Sequence, residues 1–269
     1  MNKQSLASQS PGKQSLAKYE FGKIFLSVVI PAYNEEYDLR IGVLDAVYNY
    51  LSGKKYSWEI LFVDDGSTDS TVKLAEDFSR KHTNFFVLKE PHRGKAGTVT
   101  AGILKAKGEI VLFTDADQAT PIGQLEKILP KFEKGYDVVI GSRHGRQGAP
   151  VIRKVMALGF SLLRLLLLRL PFKDTQCGFK AFTASAATEI FKRLEIFSSK
   201  NISKGASVTA GFDLEILYIA RKLGYKITEV PVEWHHKEGT KVDPIKDSIE
   251  GLRGLIMVRL NALQGKYRV

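Results

Sequence analysis

An α/β fold on a mostly parallel, Rossmann-like sheet with helices on both faces is predicted by three observations. Short apolar runs recur from Leu26 to Ile140, as in strands covered on both faces. Stretches long enough for helices separate them. The polar, acidic or glycine-bearing turns come after the strands, the edge at which open α/β sheets bind ligands.

The first run, Leu26-Ser27-Val28-Val29-Ile30, leads into Pro31-Ala32-Tyr33-Asn34-Glu35, and a helix is expected from about residue 38 to 51. Trp58-Glu59-Ile60-Leu61-Phe62-Val63 forms the second strand and ends in Asp64-Asp65-Gly66-Ser67-Thr68-Asp69. A helix then reaches about Lys81, and Phe85-Phe86-Val87-Leu88 makes the third strand. Arg93-Gly94-Lys95-Ala96-Gly97 reads as a loop before a helix that ends near Gly108.

The fourth run, Ile110-Val111-Leu112-Phe113-Thr114, passes straight into Asp115-Ala116-Asp117. If the chain stays extended there, residues two apart point the same way and both carboxylates face one space. Two hard oxygen donors suit Mg²⁺ or Mn²⁺, with coordination left for phosphate oxygens. A lone D-x-D is also a common solvated turn, so its meaning depends on its neighbours. Val138-Val139-Ile140 is the fifth strand, leading to Gly141-Ser142-Arg143.

Charge narrows the partners. The 269 residues carry a net +11, and the excess is localised. Residues 151–173 hold five basic side chains and no acid, and residues 251–269 hold four and no acid. Both segments are strongly apolar, with Leu rather than exposed aromatics between the cations. That pattern fits an anionic membrane surface and argues against nucleic acid. The apolar stretch 155–170 is broken by Arg164 and Arg169 and would cover only about 24 Å as a helix, short of a bilayer core of about 30 Å. No transmembrane helix is expected, and the polar first 23 residues lack the apolar segment of a secretory leader. They contain Lys-Gln-Ser-Leu-Ala twice and read as a flexible tail. The single Cys177 permits no internal disulfide and reads as a small packed residue. The phosphate loops G-x-G-x-x-G and G-x-x-x-x-G-K-[ST] are absent, as is the G-x-S-x-G elbow.

Pro31-Ala32-Tyr33-Asn34-Glu35, Asp64-Asp65-Gly66-Ser67 and Asp115-Ala116-Asp117, each after a strand and in this order, resemble the nucleotide-sugar half of family-2 inverting glycosyltransferases. Four further segments are similar to the branch that loads sugar onto polyprenyl or dolichyl phosphate. They are Asp174-Thr175-Gln176-Cys177-Gly178-Phe179-Lys180, Phe212-Asp213-Leu214-Glu215, Glu229-Val230-Pro231-Val232 and Gly239-Thr240-Lys241-Val242. Within that branch the dolichyl-phosphate β-glucosyltransferases look most alike.

The resemblance implies a GT-A type domain over residues 24–243, including an interface helix at about 151–172, between the tail (1–23) and a basic amphipathic helix (244–269). It implies that Pro31, Ala32, Tyr33, Glu35 and Asp65 hold the nucleoside, joined by Asp64 unless that residue only fixes its turn. Asp115, Ala116 and Asp117 would bind the sugar nucleotide, the two acids through Mg²⁺ or Mn²⁺. Lys95 and Lys241 would reach its diphosphate. Arg143, Arg164 and Lys180 would hold the acceptor phosphate. The mannosyl branch reads D-A-D-L-Q and uses that Gln on the metal; here Gln118 is shifted by one position and should point away. His235 and His236 lack a third histidine at metal spacing and read as loop-shaping. The implied reaction moves glucose from UDP-glucose to a lipid phosphate at the cytoplasmic face of a membrane, with the protein bound peripherally. The alternatives are mannose from GDP-mannose, or the same fold acting on a saccharide hydroxyl.

Overall fold

The computed structural model describes residues 23–143, 151–195, 210–235 and 244–267. Among them one sheet contains seven strands: β1 (Leu26–Ala32), β2 (Trp58–Asp64), β3 (Phe85–Lys89), β4 (Ile110–Phe113), β5 (Val138–Arg143), β6 (Lys180–Thr183) and β7 (Ile227–Val232). Their spatial order is β3-β2-β1-β4-β6-β5-β7. All neighbours are parallel except β6, which runs antiparallel to both β4 and β5. The strand ends that carry the acidic turns therefore lie along one edge.

Alternation along the strands divides the core between the two faces. Val29, Val63, Val111 and Phe113 pack on one side with Ala96, Val99 and Ile103 of helix α4 (Gly94–Lys105). Val28, Ile30, Phe62 and Leu112 pack on the other with Leu44, Val47 and Leu51 of α2 (Val43–Ser52). Gly102 explains how closely α4 lies on the sheet: a Cβ there would sit 2.4 Å from Val29 Cγ1. That approach sets where the start of α4, and with it Lys95, meets the acidic edge.

Several local expectations are corrected. The helix expected over 38–51 is two helices, α1 (Glu36–Arg40) and α2, divided at Gly42, whose φ of +88° ends the first run. The segment 93–97 is not a loop, because α4 already begins at Gly94. β4 stops at Phe113, and the Gln118 amide donates to the Asp115 carbonyl at 3.2 Å, so the acid pair lies on a turn rather than on extended chain. Helices α3 (Thr71–Ser79) and α5 (Leu125–Glu133) fill the other crossovers.

The later part of the chain holds α6 (Val151–Leu168), α7 (Ala184–Phe191), α8 (Ala210–Lys222) and α9 (Pro244–Leu263). The last helix packs against α8 and α6. A Cβ on Gly251 would lie 3.4 Å from the Phe160 ring, and Tyr267, 1% exposed, donates its hydroxyl to Glu215 Oε1 at 2.7 Å. Outward, α6 exposes Leu158, Leu162, Leu165 and Leu166, while α9 exposes Ile249, Leu252, Ile256, Leu260 and Leu263. No helix among the described residues is long and apolar enough to cross a membrane.

Candidate active site

The turns after β1 and β2 are cross-tied. Asn34, at a φ of 55°, accepts the Thr68 amide at 2.8 Å, its own amide donates to Ser67 Oγ at 2.9 Å, and the Glu35 amide donates to Thr71 Oγ1 at 2.8 Å. Asp64 accepts the amides of Gly66 (3.0 Å) and Ser67 (3.2 Å). Its carboxylate fixes the turn, as one of the two expectations for it had it. Asp65 is buried: Oδ1 accepts the Arg93 amide at 2.8 Å, and Oδ2 lies 2.9 Å from His92 Nδ1. The His92 ring in turn stacks on Tyr33, with centroids 4.2 Å apart and planes 18° apart. Pro31 and Ala32 are buried at the end of β1, where the Ala32 carbonyl accepts the Asp65 amide at 2.8 Å. The turn residue Ala116 is 4% exposed and packs into the core.

The acid pair sits among cations. Asp115 is ion-paired with Lys95 in the first turn of α4. Burial pushes the Asp115 carboxyl up, but Lys95 outweighs it, with help from Lys180 and Arg143, and the group is held below the usual carboxylate range. Burial likewise pushes the Lys95 ammonium down, and Asp115, Asp213 and Asp117 more than reverse this. Asp117 accepts the Ala119 amide at 2.9 Å. Glu35 completes the acidic field: burial, then Asp38, Asp117 and Asp115, push its carboxyl up to about 7. Backing the site is Gly178, where a Cβ would lie 2.0 Å from Asp115 Oδ2.

Beyond Asp115 lie two more ion pairs. Arg143, at the end of β5, grips Asp174 in a fork: Nε donates to Oδ2 at 2.6 Å and Nη2 to Oδ1 at 2.9 Å. Asp174 is itself anchored through its amide to Glu229 Oε1 at 2.8 Å. Burial pushes both members of the fork towards their neutral forms. Their mutual bond wins, so the Arg143 guanidinium is held up and the Asp174 carboxyl down. The fully buried Lys180 donates to Asp213 Oδ1 at 2.6 Å and to the Cys177 carbonyl.

Arg164 departs from its expected place. It is 4% exposed, and its guanidinium donates to the carbonyls of Leu170 and Phe172 and to Ser161 Oγ. It ties down the chain after α6, which carries Asp174, rather than presenting a free charge to an acceptor. Gln118 Nε2 donates to the Asp115 carbonyl at 2.9 Å, which folds its side chain back over the acid turn. Cys177 is buried, and burial pushes its thiol up. The His235 amide donates to the Ala119 carbonyl at 2.8 Å, tying the chain after β7 to the acid turn. Lys241 and His236 lie outside the described residues.

Four groups were missed as site residues. Asp174, Gly178 and Asp213 stand inside motifs quoted for the resemblance, but partners so distant in sequence cannot be read from one chain. His92 carried no motif. Among the described residues no cluster of three or more His, Cys, Asp or Glu side chains could hold a metal alone. Asp115 and Asp117 offer two carboxylates, a donor set suited to a divalent cation whose remaining coordination comes from substrate phosphate. Burial first, and then the negative charges of Asp38, Asp117 and Asp115, raise the Glu35 carboxyl, and a cation would relieve the second of these causes. The residues fit the group.

A mostly parallel sheet with an acid pair after its fourth strand and cations gathered around it defines a glycosyltransferase of the GT-A type. The chain belongs to glycosyl transferase family 2, whose family model matches residues 27–191. It is 37% identical to the dolichyl-phosphate beta-glucosyltransferase of Dictyostelium discoideum, over 94% of this chain and 79% of the relative. The enzymes of the same name from Saccharomyces cerevisiae and Homo sapiens are 35% and 33% identical. Each match spans 91% of this chain, and 77% and 78% of the relative respectively. Among solved structures, mannosyl-3-phosphoglycerate synthase from Rubrobacter xylanophilus shares the fold at a TM-score of 0.65 and 19% identity, over 91% of this chain and 76% of that one. Glucosyl-3-phosphoglycerate synthase from Mycobacterium tuberculosis, in complex with Mn²⁺, UDP and glucosyl-3-phosphoglycerate, does so at 0.61 and 19%, over 88% and 80%.

Proposed function

We propose that the protein transfers glucose from UDP-glucose to dolichyl or a related polyprenyl phosphate, with inversion, giving a β-linked lipid-phosphate sugar and UDP. The observation that carries this reading is the grouping of Asp115, Asp117 and Glu35 with Lys95, Lys180 and Arg143 at one sheet edge. The relatives' names supply the acceptor and the sugar.

In this reading the turns bearing Tyr33, Glu35 and Asp65 form the nucleoside wall. Asp115 and Asp117 would hold Mg²⁺ or Mn²⁺, which when bound supplies Lewis-acid stabilisation of the departing diphosphate. Lys95 is placed to neutralise the same charge by exchanging Asp115 for a phosphate oxygen, and Lys241 is assigned to the diphosphate with it. Arg143 and Lys180 hold the acceptor phosphate in line behind the anomeric carbon. Such a phosphate, with a second pKa near 6, is already anionic at neutral pH and needs no general base. Arg164 serves indirectly, by holding the chain that presents Asp174 to Arg143. The exposed leucines and isoleucines of α6 and α9, in basic segments, suit helices lying in the interface of an anionic membrane, with the protein peripheral on its cytoplasmic face.

The test is transfer of label from radioactive UDP-glucose to lipid phosphate with Mg²⁺ or Mn²⁺ present. Label should appear in the organic phase, and Asp117→Asn should lower it by about a thousandfold while circular dichroism stays native. Transfer from GDP-mannose with none from UDP-glucose would remove the glucose assignment. Full activity of Asp117→Asn would remove the metal role.

A further inference from the structure

His92 is the feature of the site for which no motif prepared the reading. Its Nδ1 lies 3.0 Å from the Asp65 carbonyl oxygen and 2.9 Å from Asp65 Oδ2. A carbonyl and an ionised carboxylate can only accept, so Nδ1 carries the hydrogen whether the ring is neutral or charged. The other Asp65 oxygen takes the Arg93 amide, and the Asp65 amide is bound to Ala32. Each end of this residue is thus held, and the carboxylate plane cannot turn without breaking a bond.

The same imidazole backs the Tyr33 ring face to face, and it is only 17% exposed. Space reinforces the contact: Gly66 has a φ of +74°, and a Cβ there would meet the His92 amide nitrogen at 3.2 Å. The chain before α4 is therefore pressed onto the turn after β2. One side chain links a residue after β1 to a residue after β2, using one ring nitrogen and one ring face.

We propose that His92 is a positioning residue for the donor's nucleoside. It locks the Asp65 carboxylate and the Tyr33 ring into a single preformed wall against which a uridine diphosphate docks. This rests on the assignment of the nucleoside to Tyr33 and Asp65 made above. A wall assembled before binding spares the ligand the cost of ordering it, so its loss should appear in donor affinity and not in the chemical step.

The experiment uses the full chain, UDP with Mg²⁺ as the calorimetric probe, and three substitutions. His92→Phe keeps the ring stack and loses the N–H donor. His92→Asn can still donate to Asp65 but loses the stack. His92→Ala loses both. UDP should bind about tenfold more weakly to His92→Ala, with each of the other two falling between it and the unaltered protein. In steady state the KM for UDP-glucose should rise in parallel, with kcat at saturating donor and the acceptor KM unchanged. Mere unfolding of part of the sample would lower the apparent kcat and the number of binding sites but leave the KM alone. Equal UDP affinity in His92→Ala and the unaltered protein overturns the proposal and leaves the donor assignment standing. Absence of UDP binding to the unaltered protein overturns both.

Discussion

The two sides of the site differ in the balance of main-chain and side-chain bonds that hold them. On the side of β1 and β2, the carboxylates of Asp64 and Asp65 accept backbone amides, as Asp117 does at the edge of β4. Backbone amides are fixed by the fold and cannot swing away. On the side of β5 and β6, Arg143 and Lys180 meet the side chains of Asp174 and Asp213, and Lys95 meets Asp115 between the two. A side-chain ion pair can exchange its anion for a phosphate without moving the main chain. In the proposed reading the first side is a mould for a neutral, shaped ligand part, and the second is a set of cations whose carboxylate partners an arriving anion would replace.

After Asp117→Asn, the next largest effect should come where the two sides meet. Gly178→Ala would place a methyl group against Asp115 Oδ2, and neither the carboxylate nor the Cys177–Phe179 chain can yield without moving the acid pair. A displacement of about 1 Å costs on the order of a hundredfold in rate. We expect kcat to fall by about that factor, measured with saturating donor and acceptor on protein whose melting curve stays cooperative. A near-normal kcat would mean that Asp115 need not sit where it does.

A smaller effect should separate the sides. Arg143→Lys keeps the charge but loses the fork to Asp174. The KM for lipid phosphate should rise about tenfold, with UDP affinity unchanged. The opposite split would put Arg143 on the donor side and erase the division.

The same contrast governs what the sequence disclosed. Strands β1, β2, β4 and β5 announce themselves because they are apolar runs buried on both faces, and the acids after β1, β2 and β4 follow by position alone. β6 gave no such signal: it is four residues, Lys-Ala-Phe-Thr, antiparallel, with a buried lysine whose partner Asp213 is 33 residues away. The surroundings of Arg164 were not legible either: an arginine in an apolar helix looks like a charge awaiting a partner, while it is bound to two main-chain carbonyls and Ser161 Oγ, which no pattern marks. The acid pair was expected to share one space because the chain would stay extended, and it does not stay extended. It lies on a turn, and Gly178 and Lys95 rather than strand alternation surround Asp115.

The first side also carries a partly buried carboxyl whose cost pH should reveal, in an effect on stability and not on rate. Glu35 has its carboxyl raised from an ordinary 4.5 to about 7 by burial and by Asp38, Asp117 and Asp115. Between those two values the folded protein holds a proton that the unfolded chain has lost. Stability therefore falls as pH rises through this window, and the cost is fully present above about 7. Glu35→Gln removes the charge and keeps the shape. At pH 8 without metal the variant should be more stable by about 1–3 kcal/mol, a rise of a few degrees in Tm, and at pH 4.5 the two proteins should melt together. Adding Mg²⁺ with UDP at pH 8 should narrow the gap, because a divalent cation among the acids stabilises the ionised carboxylate of the unaltered protein. A gap of equal size at both pH values would show that the Glu35 carboxyl is not raised, and one that Mg²⁺ with UDP leaves unchanged would detach Glu35 from the acid pair.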